Sequence, residues 1–195
     1  SAHSKLDEPE WNPLSPRQEA VVERTIEEIV AHIPDWTPLF NLPIRFRLHT
    51  DGRTSSSSAL IPQTIYFGPQ VFANKHLLTE IVVHEHAHVW LNLVAEILDL
   101  QTKQHAVTYT LPSGTRGKTL RGVLLAAHFA AAVHRLHTST KQQPARAAYL
   151  ASYLEACLGT ASASKGLSQT GREVLRELQR YLNSSSHNRG AEDNG

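Results

Sequence analysis

Two histidines, His84 and His88, stand four residues apart in the run Ile81 to Trp90, "IVVHEHAHVW". On a helix that spacing leaves about 40° of rotation between them, so both imidazoles can reach one metal ion. With Glu85 they make an HExxH pattern, the arrangement in which a bound metal acidifies a water molecule and the glutamate takes its proton. His86 lies about 200° round from His84 and is expected to point away, so three histidines here do not mean three ligands. The competing reading is a surface helix with a histidine cluster. It is disfavoured because Val82, Val83 and Trp90 flank the motif on what reads as a buried face.

A catalytic ion needs a third protein ligand and open positions for water or substrate. After His88 the chain reads "VWLNLVAEILDL", without the Gly and third His that would continue the motif into that of a metzincin. Glu96 is more than two turns farther along the same helix, roughly 12 Å, which is too far to share the ion, and Asp99 is farther still. The favoured third ligand is His128, in an Ala-rich segment whose small side chains allow close packing against the HExxH helix. His105 is a rival in a loop. His134 and His137, with Arg135 between them, read as a solvated basic face. His32, His49 and His76 fall outside the site. Two histidines plus a third suit zinc and hydrolysis with Glu85 as base, whereas non-haem iron enzymes more usually add a carboxylate.

The elements that must position these residues are legible along the chain. Ser15, Pro16 and Gln18 supply an N-cap, a first-turn proline and a capping-box partner, so a helix is predicted from Pro16 to His32. "IRFRLHT" alternates as a half-buried strand, "DGRTSSSS" breaks it, and "QTIYFGP" reads as a second strand stopped by Gly68 and Pro69. Serine runs are more often flexible loop. From Asn74 to about Leu100 there is no Gly or Pro, and HExxH falls in the middle of a long helix. Helix, strand, strand and HExxH helix in that order predict an α+β, mostly helical, zincin-like domain with a small sheet. An irregular segment, "TYTLPSGTRGKTLRG", then leads to the helix "GVLLAAHFAAAVHRLH", a helix opened by Pro144, and a last helix that Thr170 can cap. One catalytic domain is expected over residues 1–183, with a polar, flexible tail over 184–195.

The bounds on function agree. A chain of 195 residues, 41% of them apolar, can bury a real core, and a formal charge of +1 forecasts no bulk attraction to nucleic acid. The lone Cys157 excludes an internal disulfide framework and fits a reducing cytoplasm. No apolar run approaches the roughly 18 to 20 residues of a spanning helix, and the opening "SAHSKLDEPEW" does not read as a signal peptide. With no Met in the chain, its first residues are expected to be a processed or engineered end.

Taken together, "SSSS", an extended segment, "EIVVHEHAHVWLNLV", a Pro/Gly-rich stretch, "LRGVLLAAHFAAAVHRL" and "LSQTGREVLREL" resemble the HExxH proteins encoded beside ribosomally made, post-translationally modified peptides. The resemblance runs from about Arg53 to Leu182. It implies an iron(II)- and 2-oxoglutarate-dependent peptide β-hydroxylase on a zincin-like scaffold, with a precursor peptide as substrate. Two departures stand out. This chain has "LPSG" where the family usually has a Pro-Trp-Arg cluster, and Leu125 where it has a histidine, with His128 one turn later on the same face.

A 2-oxoglutarate enzyme also needs a cation for the cofactor's far carboxylate. Arg116, Lys118 and Arg121 cluster between the two histidine-bearing helices, and Lys118 stands where the resemblance puts an arginine. The alternative is that these three are simply solvated. Ser55 to Ser58 and Tyr66 are candidate supporting donors, and strand addition along "QTIYFGP" would bind the peptide. In an oxygenase Glu85 would orient a water or an imidazole, or become a ligand if His128 is not one. Two further readings stay open on the residues: a zinc peptidase or other hydrolase, and a non-catalytic peptide-binding domain stabilised by its metal.

Overall fold

The structure is a computed structural model describing residues 10–58, 61–104 and 106–192, with residues 186–192 as backbone. It is an α+β fold, mostly helical, with a four-stranded mixed sheet. The chain divides into two compact units, Ser1–Val89 and Trp90–Gly195. Among the described residues no helix is long and apolar enough to cross a membrane.

In the first unit, α1 (Pro16–His32) starts at the predicted capping box: the Gln18 amide donates to Ser15 Oγ, and the Ser15 amide donates to Gln18 Oε1. Its buried stripe is Val22, Thr25 and Ile29. The short α2 (Thr37–Phe40) contributes Phe40 to the core. Strands β1 (Trp11–Pro13), β2 (Arg45–His49), β3 (Ser55–Ser58) and β4 (Ile61–Phe67) form one sheet in the order β1-β2-β4-β3. The β2–β4 pair is parallel and the outer pairs are antiparallel.

The serine run is therefore not the flexible loop expected of it. It is an edge strand, paired Ser55 to Phe67, Ser56 to Tyr66 and Ser57 to Ile65. Alternation assigns its side chains to the two sheet faces. Ser55 and Ser57 share a face with Phe46, Ile65 and Phe67, and Phe46 stacks on Phe67 with ring centroids 5.7 Å apart. Ser56 shares the other face with Tyr66 and His49, whose rings stack at 5.2 Å. There His49 Nε2 lies 2.7 Å from Ser56 Oγ. Burial lowers the His49 pKa, against the opposing pull of Asp51.

Helix α3 (Lys75–Ile97) carries HExxH and is capped by Asn74, whose Oδ1 accepts from the Leu77 amide. Its residues up to Val89 belong to the first unit and the rest to the second.

The second unit is built on α4 (Leu120–Thr140), α5 (Pro144–Ala163) and α6 (Gln169–Glu192), with α4 packed along α5 and α6 against both. Thr119 caps α4 through the Gly122 amide. Ala126, Ala127, Ala130 and Ala131 on α4 and Leu150, Leu154 and Cys157 on α5 are buried. His134 and His137 are buried as well, not a solvated basic face. Tyr181 of α6 reaches His134 inside the bundle, with Oη 2.5 Å from Nδ1.

Helix α6 is capped by Ser168 and not by Thr170: Ser168 Oγ accepts from the Gly171 amide and donates to the Asp99 carbonyl. The helix continues to Glu192, through the polar stretch that begins past Asn183. At its start Gly171 presses on the Leu100 carbonyl, where a Cβ would overlap it. Gly171→Ala should therefore destabilise the protein by about 1–3 kcal/mol, as overpacking does. Chemical denaturation should show this as a lower midpoint, and an unchanged midpoint would contradict so close an approach.

Candidate metal centre

Helix α3 buries Leu78, Val82, Val83 and Ala87 and leaves His84 and His88 half-buried on another face. The one-turn spacing does what it predicts. The two Nε2 atoms lie 3.0 Å apart, with the rings 4.8 Å between centroids and 76° between planes. Metal bonds of about 2.1 Å would separate two ligand nitrogens by about 3.0 Å at a right angle and about 3.4 Å at a tetrahedral one. The pair thus fits two neighbouring positions on one ion. Without an ion, one N–H can donate to the other nitrogen.

His86 points away, as its place on the helix predicts. It is 1% exposed, its Nδ1–H donates to the Val82 carbonyl at 2.7 Å, and it packs on Phe40 and Phe46. Burial pushes its pKa down to about 4, only partly offset by that hydrogen bond. His86 is a neutral core residue.

Glu85 is 3% exposed and held by groups that the sequence presented as loop. Ser55 Oγ donates to Oε1 and Ser57 Oγ donates to Oε2, each at 2.7 Å. A carboxylate out of water needs such donors, because an unpaired one is costly to bury. Ser55 and Ser57, expected as supporting donors, give their hydroxyls to the glutamate of the motif. Tyr66, expected beside them as a donor, is buried on the opposite face of the sheet with His49. The clue in the sequence is Ser-x-Ser, a spacing that puts two hydroxyls on one face once the run is read as a strand.

The remaining expected residues are placed as follows. His128 is half-buried on α4, in the second unit. His105 lies outside the described residues. Glu96 and Asp99 are exposed. Among the described residues no three His, Cys, Asp or Glu side chains are grouped as a metal-ligand set, so the pair His84–His88 is what the structure brings together.

Of the basic residues, Arg116 and Lys118 are exposed, Lys118 in a bridge with Tyr109. Arg121 is half-buried: its Nη2 donates to Asn92 Oδ1 and its amide to Gln101 Oε1, each at 2.8 Å. The guanidinium is oriented by Asn92.

Strand β4 cannot accept an added peptide strand, since β2 and β3 occupy its two sides. Strand β3 is one of the sheet's two edges, and its Ser55 and Ser57 reach α3 through Glu85.

No protein-family model matches this chain, and no curated protein is significantly similar to it in sequence. The functional reading therefore rests on the residues and on the resemblance their motifs carry.

His84→Ala and His88→Ala should each abolish retention of iron or zinc through gel filtration, since the loss of one imidazole leaves too poor a donor set to compete with water. His86→Leu should retain the metal. Equal retention by all three variants would remove the pair from the site.

Proposed function

We propose that this chain is an iron(II)- and 2-oxoglutarate-dependent dioxygenase that hydroxylates a side-chain carbon, Cβ by the resemblance, of a residue in a ribosomally made precursor peptide. The proposal takes the arrangement to be zincin-like, with His84 and His88 as two ligands and His128 as the third. The resemblance supplies the reaction. The observation that carries it over hydrolysis is the state of Glu85, each of whose oxygens already accepts a serine hydroxyl at 2.7 Å. A general base must bring an oxygen within hydrogen-bond reach, about 2.6–3.2 Å, of the group whose proton it takes, and two serine hydroxyls already engaging this carboxylate favour an orienting role for it over proton abstraction.

Bound iron and 2-oxoglutarate, with dioxygen, would supply the oxidant that converts C–H to C–OH while 2-oxoglutarate leaves as succinate and carbon dioxide. The chain's own part is to hold and to orient. The imidazoles of His84 and His88 would hold the ion on neighbouring positions and leave others open. Arg121, turned by Asn92, and the exposed Lys118 and Arg116 are the cations for the cofactor's far carboxylate. The outer edge of β3 takes the peptide as an added strand, with serines too small to obstruct it. A cytoplasmic setting fits the single buried Cys157, whose thiol pKa burial pushes up to about 12. A zinc hydrolase is the second reading, supported by the same imidazole pair beside a carboxylate.

Anaerobic reconstitution with iron or zinc separates the two. Iron with 2-oxoglutarate and then air should give succinate, and with substrate peptide a product heavier by one oxygen. Glu85→Gln should keep iron and measurable succinate formation. Peptide cleavage by the zinc form with no succinate from the iron form would establish hydrolysis instead. Metal binding with neither activity would establish a binding module.

A further inference from the structure

We propose that Ser55 and Ser57 are positioning residues that hold Glu85 beside the His84–His88 pair and off the ion. The inference rests on the metal-site reading above, though not on which reaction the metal performs.

The geometry is that of a clamp. One serine takes Oε1 and the other takes Oε2, so the carboxylate cannot rotate about its last torsion without giving up a short hydrogen bond. Glu85 and His88 are three residues apart on α3, neighbours on the helix surface with Cβ atoms about 5–6 Å apart. A carboxylate free to turn at that range is drawn to a divalent cation, for which its oxygens are competent ligands. It would then occupy a position that substrate or cofactor needs.

The strand carrying the clamp is itself held from its other face and its start. Ser56, between the two clamp residues, is bonded to the buried His49. The Gly68 amide donates to the Thr54 carbonyl at 2.7 Å, just before the strand begins. Gly68 also lies so close to the Arg53 carbonyl that a Cβ would overlap it. Three consecutive serines thus have assigned partners: Ser55 and Ser57 face the helix, and Ser56 faces the sheet's other side. A run selected only for a flexible turn has no need of that alternation.

Were the serines only satisfying a buried charge, their loss would lower stability and leave a bound metal's surroundings unchanged. Cobalt(II) distinguishes the cases, because its visible absorption reports the number and kind of its ligands. The full chain is loaded with cobalt alone, and the wild type is compared with Ser57→Ala, Ser57→Thr, Glu85→Gln and the Ser57→Ala/Glu85→Gln pair. Released Glu85 should join the cobalt, so Ser57→Ala should shift the absorption bands and bind cobalt more tightly. Ser57→Thr keeps a hydroxyl on the strand and should restore the wild-type spectrum. In the Glu85→Gln background the Ser57→Ala change should have no further effect, as expected when one residue acts through another.

An unshifted Ser57→Ala spectrum, or a shift that persists without Glu85, would overturn the clamp while leaving the metal site standing. A wild-type chain that takes up no cobalt would overturn the metal site and the clamp together. Should Ser57→Ala not fold, Ser55→Ala releases Oε1 and is read in the same way.

Discussion

A carboxylate buried to 3% exposure, with a serine hydroxyl on each oxygen, joins the central helix of the first unit to its sheet. Left without those donors it would cost on the order of 1–3 kcal/mol or more per missing bond, so strand β3 must sit where it does for Glu85 to be buried at all. That requirement sets the register of β3 on β4, because a slip of one residue would turn Ser55 and Ser57 to the other face and present Ser56 instead. It also fixes α3 in rotation. With Glu85 toward the strand and His86 in the core among Phe40 and Phe46, His84 and His88 are left together on the half-buried side.

Each residue of the motif thus meets a different environment within little more than one helical turn. His86 is dry and neutral, Glu85 is buried and hydrogen-bonded, and His84 and His88 are half-exposed with their Nε2 atoms 3.0 Å apart. A plain surface cluster of histidines would not sort its members in this way. The sorting suits a metal site: two imidazoles together on a half-buried face, on a helix anchored from behind.

Much of this was legible in the sequence, and the failures share a cause. Helix α1 and its capping box, strands β2 and β4, the extent of α3 and the turning of His86 away from His84 follow from local rules, because caps and hydrophobic periodicity are decided within a few residues. The serine strand was not legible: serine has little preference for a strand, and what orders these serines is a glutamate about thirty positions away that their own neighbourhood does not show. His134 and His137 read as a basic face because Tyr181, which bonds to His134 Nδ1, is contributed by another helix. Thr170 is a good cap by type, yet Ser168 has the place because the chain there is already tied to Asp99 and Leu100. The free edge falls on β3 rather than β4 because strand order is a property of the whole sheet.

The central claim is that α3 presents His84 and His88 to one ion while β3 keeps Glu85 away from it. Crystals grown anaerobically with iron(II), measured on both sides of the iron absorption edge, test it most directly. The account predicts one anomalous peak about 2 Å from the Nε2 atoms of both His84 and His88, as metal–imidazole bonds require, with Ser55 and Ser57 still bonded to Glu85. A peak elsewhere, or one bound by Glu85 with its serines released, would contradict it.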